Sequence, residues 1–152
     1  MSTKGIDARQ DAPGPRASGS IREHPRWLRA GLHPDDVCAL WDDDRLHVAA
    51  ARASLEQEHV LWVDAGAGVE RVVGPGFRPA LAPTAGGPAL AYCELRDDRL
   101  QPVVVLPGAD RVLRPEIEGV VVAAQLASGG GGLVLGLELL RAGEGELGLY
   151  RV

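Results

Sequence analysis

An internal repeat constrains the fold of this chain more than any other feature of its sequence. Under a shift of about 44 residues, Leu46, Leu90 and Val134 superpose, and each of them opens an apolar run that follows a turn. A fixed period of this length is typical of proteins in which one supersecondary unit is copied along the chain. We therefore expect a fold built from three repeated units.

Four apolar runs recur in each repeat, which predicts four short strand types, A to D, with each type present three times. The predicted strands are A at 37–41, 79–83 and 120–125, B at 45–52, 88–95 and 133–140, C at 59–64, 102–107 and 146–152, and D at 25–29, 69–73 and 110–114. The predicted A–B turns are Asp42-Asp43-Asp44, Gly86-Gly87 and Gly129 to Gly132. These residues tolerate the backbone of tight hairpins. None of the runs keeps a helical period, so we expect no helix longer than about two turns.

The apolar pattern within the runs predicts sheets that are covered on both faces. Runs such as 103–106 are continuously apolar, whereas a sheet with one wet face alternates apolar and polar residues. The D runs instead carry Arg71, Arg111 and Arg114, and such charge is typical of exposed edge strands. We therefore predict an all-β fold, a β-propeller made of four-stranded antiparallel blades, with three blades per chain.

The middle of the chain carries the clearest motif. Its segments are Pro79-Ala80-Leu81-Ala82-Pro83, Ala89-Leu90-Ala91-Tyr92, Leu61-Trp62-Val63-Asp64 and Arg71-Val72-Val73. This pattern resembles the TolB-type propeller repeat, which is also seen in the propeller domains of prolyl-oligopeptidase-like enzymes. The resemblance covers residues 25–152 and is poorest in the third repeat, where 129–132 replaces the expected turn. It implies a propeller whose relatives include scaffolds, substrate gates and binding modules, so it leaves the function open.

Composition separates a tail from the repeat domain and excludes some partners. Residues 1–22 are polar and rich in Gly, Pro, Ser and Arg, so we expect a disordered tail before a half-propeller domain at 23–152. The net charge of −5 and the aromatic content of 4% argue against nucleic acid as a partner. The sequence has no 18-residue apolar run and no secretory leader pattern. We therefore expect no membrane association and a cytoplasmic location.

No arrangement of residues points to catalysis or to a metal. The sequence lacks a Gly-x-Ser-x-Gly elbow, and no Cys–His pair or carboxylate pair stands out as a nucleophile and base. His47 and His59 lie on neighbouring predicted strands, but a structural zinc site needs four ligands. The run 42–44 lacks the spacing of an EF-hand loop. We expect no catalytic residue, metal or cofactor, and we predict that Cys38 and Cys93 are separate reduced thiols.

The loops are the better candidates for binding. In a propeller the D–A and B–C loops share one face, and loops on a rigid scaffold often carry function. Candidate ligand-binding residues on this face are His33, Arg78 and Glu118 in D–A loops and Arg96 and Asp97 in B–C loops. The ligand would be a protein or a small molecule. The alternatives are a small enzyme or lectin-like protein with a polar site in the central channel, or a fragment of a larger propeller enzyme.

Three blades are too few to close a ring, since known propellers have at least about four. An open half-propeller would expose an apolar face at each end, which monomers rarely tolerate. We therefore predict a homodimer that closes a six-bladed ring. The segment His24 to Arg29 is a spare D strand, whereas the chain ends at Val152 on a C strand. The spare strand of one subunit would complete the last blade of the other.

Overall fold

The computed structural model describes residues 32–53, 57–108 and 111–152, and these residues form eleven β-strands and no helix. The strands are β1 (Leu32–Asp42), β2 (Arg45–Ala53), β3 (Glu58–Asp64), β4 (Val69–Pro75), β5 (Phe77–Thr84), β6 (Gly87–Arg96), β7 (Arg99–Val105), β8 (Val112–Leu113), β9 (Val120–Gly129), β10 (Gly132–Arg141) and β11 (Glu144–Arg151). The described part of the chain accordingly holds no helix that could cross a membrane.

Consecutive strands pair into three antiparallel sheets. The first has the order β1-β2-β3-β4, the second β5-β6-β7-β8, and the third, with three strands, β9-β10-β11. The prediction of an all-β chain of antiparallel sheets is confirmed. The fourth strand of the second sheet is shorter than expected, since β8 has only two residues. The predicted tail at 1–22 and the predicted D strand at 25–29 lie outside the described residues.

Tight hairpins join the strands both at a predicted A–B turn and at a predicted B–C loop. Asp43 and Asp44 have φ angles of 43° and 62° between β1 and β2. Asp97 and Asp98 have φ angles of 50° and 57° between β6 and β7. Two successive positive φ angles are what a two-residue turn needs to match the right-handed twist of the flanking strands. Aspartate is among the few residues other than glycine that adopt this conformation readily.

The middle sheet packs between the other two, and its strands are apolar on both faces for that reason. On β6, Leu90 and Tyr92 pack against the first sheet, while Ala89, Ala91 and Cys93 pack against the third. All five are almost completely buried. Successive residues of a strand point to opposite faces, so a strand buried on both faces reads as a continuous apolar run. The interpretation of the continuous runs is confirmed for this sheet.

The third sheet follows the second with a spacing that differs by one residue from the predicted shift. The hairpin that closes at Gly87 in the second sheet closes at Gly132 in the third. Leu90 therefore corresponds to Leu135, which is buried, and not to Val134, which lies on the opposite face and is 36% exposed. A slip of one residue moves every side chain to the other face of a sheet, so the superposition of Leu90 on Val134 was wrong.

The outer face of each end sheet carries large exposed apolar side chains. On the third sheet, Leu147 is 74% exposed and Leu149 is 69% exposed. On the first sheet, Trp41 is 69% exposed, and Val72 is exposed on the same face. The middle sheet covers one face of each end sheet, and the described residues place no further sheet on the other face.

A single residue joins the first sheet to the second. Gly76 lies between β4 and β5, and its N–H donates to the carbonyl of Glu58 at 3.0 Å. Its φ is 150°, and a Cβ added to it would lie 2.5 Å from the carbonyl oxygen of Cys93. A Cβ on Gly74 would lie 2.8 Å from the hydroxyl of Tyr92. Glycine at both positions lets the chain pass closely over Tyr92 as it leaves one sheet for the next.

Candidate functional site

Arg78 connects all three sheets where β1, β5 and β9 lie side by side. Its backbone N–H donates to a carboxylate oxygen of Asp36 on β1 at 3.2 Å, and its guanidinium donates to the carbonyl of Val122 on β9. Arg78 was predicted in a loop, but it is the second residue of β5, with a φ of 55°. Likewise His33 lies on β1 and not in a loop. The side chain of His33 lies outside the described part of the structure.

A cavity of about 540 Å³ opens between these three strands, which we call the inner strands. It is lined by Asp36, Val37, Cys38, Arg78, Pro79, Ala80, Leu81, Ala123, Ala124 and Gln125. Most of these residues are small or apolar. The two charged residues, Asp36 and Arg78, are bonded to each other through the backbone N–H of Arg78. The cavity therefore offers no cluster of converging ionisable side chains.

The two cysteines lie on the predicted strands, β1 and β6, and both are free thiols. Burial raises the pKa of Cys38 to about 11, and it raises the pKa of Cys93 to about 11. The thiolate is the nucleophilic form of cysteine, so burial disfavours reaction of both thiols at neutral pH.

Three of the predicted site residues meet at one cavity. Arg96, Asp97 and Glu118 line a space of about 650 Å³ at the end of the second sheet where β6 turns into β7. We call this space the loop-end cavity. Its full lining is Arg96, Asp97, Arg99, Gln101, Glu116, Ile117 and Glu118. The structure thus groups these three of the five candidates, whereas Arg78 lines the inner-strand cavity.

Hydrogen bonds fix the loop that forms one wall of the loop-end cavity. The backbone N–H of Ile117 donates to the side-chain oxygen of Gln101 on β7 at 3.2 Å. The guanidinium of Arg141 donates to the backbone carbonyl of Glu118 at 3.1 Å, which ties the same loop to β10. Contacts with the second and third sheets therefore fix the backbone of the loop before β9. The carboxylates of this loop project from that fixed backbone.

Arg96 has an incompletely satisfied guanidinium. Its Nη2 atom lies 3.5 Å from the Glu94 carboxylate, which also pairs with Arg114 at 3.3 Å. Nη2 is buried and has no hydrogen-bond partner within the described part of the chain. A buried donor without a partner costs free energy until something accepts its hydrogen bond. With Arg96 and Arg99 beside Asp97 and the two glutamates, the cavity presents both donors and acceptors, which suits a polar ligand that carries both.

A second polar cluster lies at the opposite end of the sheets and was not predicted. The indole of Trp62 donates to Nδ1 of buried His47 at 3.4 Å, and the guanidinium of Arg71 lies 4.4 Å from the Trp62 ring centroid. The backbone N–H of Ala67 lowers the pKa of Asp64, with further lowering from His47 and Arg45. The side chains of His47, Trp62, Asp64 and Arg71 line a cavity of about 320 Å³.

The register explains why the histidine pair considered from the sequence does not form. His47 lies opposite Asp64, while His59 lies opposite Arg52, five residues further along β2. Among the described residues, no three His, Cys, Asp or Glu side chains are grouped closely enough to hold a metal ion. The sequence feature that could have predicted the cluster around His47 is the placement of Trp62 and Arg71 on neighbouring strands of the first repeat.

The fold and these cavities define a class: an all-β protein of three antiparallel sheets stacked side by side along the chain. One solved structure similar to it is the crystal structure of TolB from Acinetobacter baumannii, with a TM-score of 0.55 at 13% sequence identity. The match covers 77% of this chain and 30% of the TolB chain, so the chain spans about a third of TolB. This likeness shows a TolB-like fold. No protein-family model matches the sequence, and no curated protein matches it.

Proposed function

We propose that this chain is a non-enzymatic binding or scaffold module, built as half of a six-bladed β-propeller that closes its ring with a second copy. The observation that carries the proposal is the pair of apolar end faces. Trp41 and Val72 on the first sheet, and Leu147 and Leu149 on the third, are all largely exposed. Monomers rarely expose contiguous apolar patches beyond roughly a few hundred Å², so we expect a partner to cover these two faces.

A second copy of the chain would cover both apolar end faces at once. In a two-fold assembly the first sheet of one copy packs on the third sheet of the other, and the same contact occurs twice. Each sheet would then be covered on both sides, as the middle sheet already is. The TolB-like fold supports this arrangement, since a propeller packs its sheets face to face around an axis.

The inner-strand cavity supports binding over catalysis. A channel enzyme would need ionisable side chains that converge on a substrate. Here the cavity walls are mostly small or apolar, and Asp36 is bonded to Arg78. The partly buried thiol of Cys38 has its pKa raised to about 11, which keeps it protonated at neutral pH. The alternative, an enzyme with a polar site in the channel, receives no support from these residues.

Sedimentation equilibrium tests the pairing of the end faces. Burying the exposed part of a tryptophan contributes about 2–3 kcal/mol. Trp41 lies in both equivalent junctions, so Trp41→Glu should weaken the dimer by roughly three orders of magnitude or more. The matched control is Leu95→Glu, because Leu95 is also exposed, at 62%, but lies on the middle sheet. Equal effects of the two variants, or none from Trp41→Glu, would contradict the proposal.

The loop-end cavity is our candidate ligand site. The guanidinium of Arg96 and the carboxylates of Asp97 and Glu118, which line this cavity, would recognise a polar peptide segment or small molecule that carries both charges. Selection of a displayed peptide library against the protein tests this. Peptides selected on the wild type should lose binding to Glu118→Lys but keep binding to Asp43→Lys, which changes an exposed residue of the turn between β1 and β2. If the selected peptides bind both variants as well as they bind the wild type, they bind elsewhere and the site assignment is wrong.

A further inference from the structure

One position on the second strand of each sheet differs in chemistry between the third sheet and the other two. It lies six residues after the residue at which the first hairpin of the sheet closes, and its occupants are Ala51, Cys93 and Glu138. In the first two sheets the residue is small and 0% exposed, on the face that packs against the next sheet. In the third sheet it is a glutamate on the outer face, and it is exposed.

We propose that Glu138 pairs with Arg52 of a second copy, so that each junction of the closed ring holds an ion pair among its apolar contacts. This inference rests on the proposed ring closure. Glu138 lies opposite Leu147, on the outer face of the third sheet. Arg52 is exposed on the outer face of the first sheet, the face that carries Trp41. Within the described ranges neither side chain forms a salt bridge.

The contact between the second and third sheets indicates which residues meet across such a junction. Cys93 faces the third sheet and belongs to one buried cluster with Leu139. Leu139 and Arg52 are equivalent, because each lies seven residues after the hairpin of its sheet closes. A junction that repeats this packing puts Glu138 in the place of Cys93. It puts Arg52 of the second copy in the place of Leu139.

The charges on the two outer faces are complementary at both ends of the sheets. Glu138 and Arg52 lie toward the end away from the A–B turns. Near the A–B turns the signs are exchanged, with Arg151 on the third sheet and Glu70 on the first. Stacking in the direction used within the chain therefore brings opposite charges together at both ends. The reversed stacking would bring like charges together, which is unfavourable.

The position of Glu138 requires a cation if the next sheet covers it. An ionised carboxylate that loses its water without a partner costs several kcal/mol. The planar guanidinium of an arginine offsets this cost, because it donates two parallel hydrogen bonds to a carboxylate. Apolar faces alone could stack in several ways, whereas an ion pair at a fixed position selects one partner and one register. The kind of partner that fits this face is a second copy of the chain.

An exchange of the two charges tests the pairing by sedimentation equilibrium. Glu138→Arg places two cations together at both junctions, and Arg52→Glu places two anions together. Each single variant should raise the dissociation constant of the dimer about a hundredfold or more. The double variant, Glu138→Arg with Arg52→Glu, restores opposite charges and should bring the dissociation constant back to within about tenfold of the wild type. Both residues are exposed in the single chain, and circular dichroism checks that each variant keeps its sheets.

The matched control combines Arg52→Glu with Glu144→Arg. Glu144 is also an exposed glutamate of the third sheet, but it lies at the turn between β10 and β11. This control has the same net charge as the exchanged pair, and it should not recover the dimer.

Each outcome of these measurements bears on one claim. Light scattering on the unmodified protein reports separately whether a dimer forms. A dimer that tolerates both single variants, or that the exchanged pair does not recover, would overturn the pairing and leave the ring closure standing. Equal recovery by the control would show an effect of net charge and would also overturn the pairing. A monomer would remove the proposed function and this inference together.

Discussion

Replacing Gly74 by alanine should destabilise the protein through one identifiable atom. An added Cβ would lie 2.8 Å from the hydroxyl oxygen of Tyr92, and the next nearest atom is the ring Cζ at 3.7 Å. Tyr92 is almost fully buried and packs in the core between the first and second sheets, so its ring has little room to shift. Overpacking of this kind costs about 1–3 kcal/mol, and the lower entropy of the unfolded alanine chain offsets about 0.5 kcal/mol.

We therefore expect Gly74→Ala to lower the free energy of unfolding by about 1–2 kcal/mol. Urea denaturation followed by tryptophan fluorescence measures this change, because the buried Trp62 reports on the same core. Gly129→Ala is the matched control. A Cβ there meets no atom within 4 Å and the backbone has no positive φ, so its stability should stay within about 0.5 kcal/mol of the wild type.

The decisive comparison adds Tyr92→Phe. Removing the hydroxyl leaves the Cζ contact at 3.7 Å, which is ordinary packing. In the Tyr92→Phe background, Gly74→Ala should therefore cost at least about 1 kcal/mol less than it costs in the wild type. An equal cost in both backgrounds would refute the assignment of the clash to the hydroxyl, and no cost in either would refute the close passage of the chain over Tyr92.

Three further predictions follow from the same structure. Burial raises the pKa of Cys93 from 9.0 to about 11, so the stability that the protonated thiol contributes is complete below pH 9 and is lost between pH 9 and 11. In urea titrations across that window, the free energy of unfolding of the wild type should fall by about 2 kcal/mol more than that of Cys93→Ala. Equal losses in the two proteins would contradict this. Arg78→Met should lower the free energy of unfolding by about 1–2 kcal/mol, because it removes the guanidinium bond to β9, while Arg111→Met, at an exposed position, should change it little. Deleting residues 1–30 should dissociate the dimer in sedimentation velocity, whereas deleting 1–20 should not, and identical behaviour of the two would contradict the role of the segment between them.

The sheets could be predicted from the sequence because their physical requirements are local. Continuous apolar runs such as 103–106 indicated burial on both faces, and paired aspartates or glycines marked the hairpins. The exact register of the third sheet could not be predicted, because the glycines at 129–132 offer no side chain that fixes where the hairpin closes. A turn one residue later moved Val134 to the outer face.

The candidate site was predictable only in part. Turn and loop positions at one end of the sheets brought Arg96, Asp97 and Glu118 to one cavity, as the shared-face argument for loops implies. Arg78 differs because its backbone and guanidinium bonds join the inner strands, a role that depends on tertiary neighbours distant in sequence. The cluster around His47 was missed for the same reason, since its contact with Trp62 depends on strand register.

The mass of the unmodified protein in solution tests the central claim most directly. One chain has a mass of 16.0 kDa. Multi-angle light scattering at micromolar concentration should give twice that mass, because two half-rings with apolar end faces close on each other at two equivalent junctions. A mass of 16.0 kDa that persists as the concentration is raised would contradict the account.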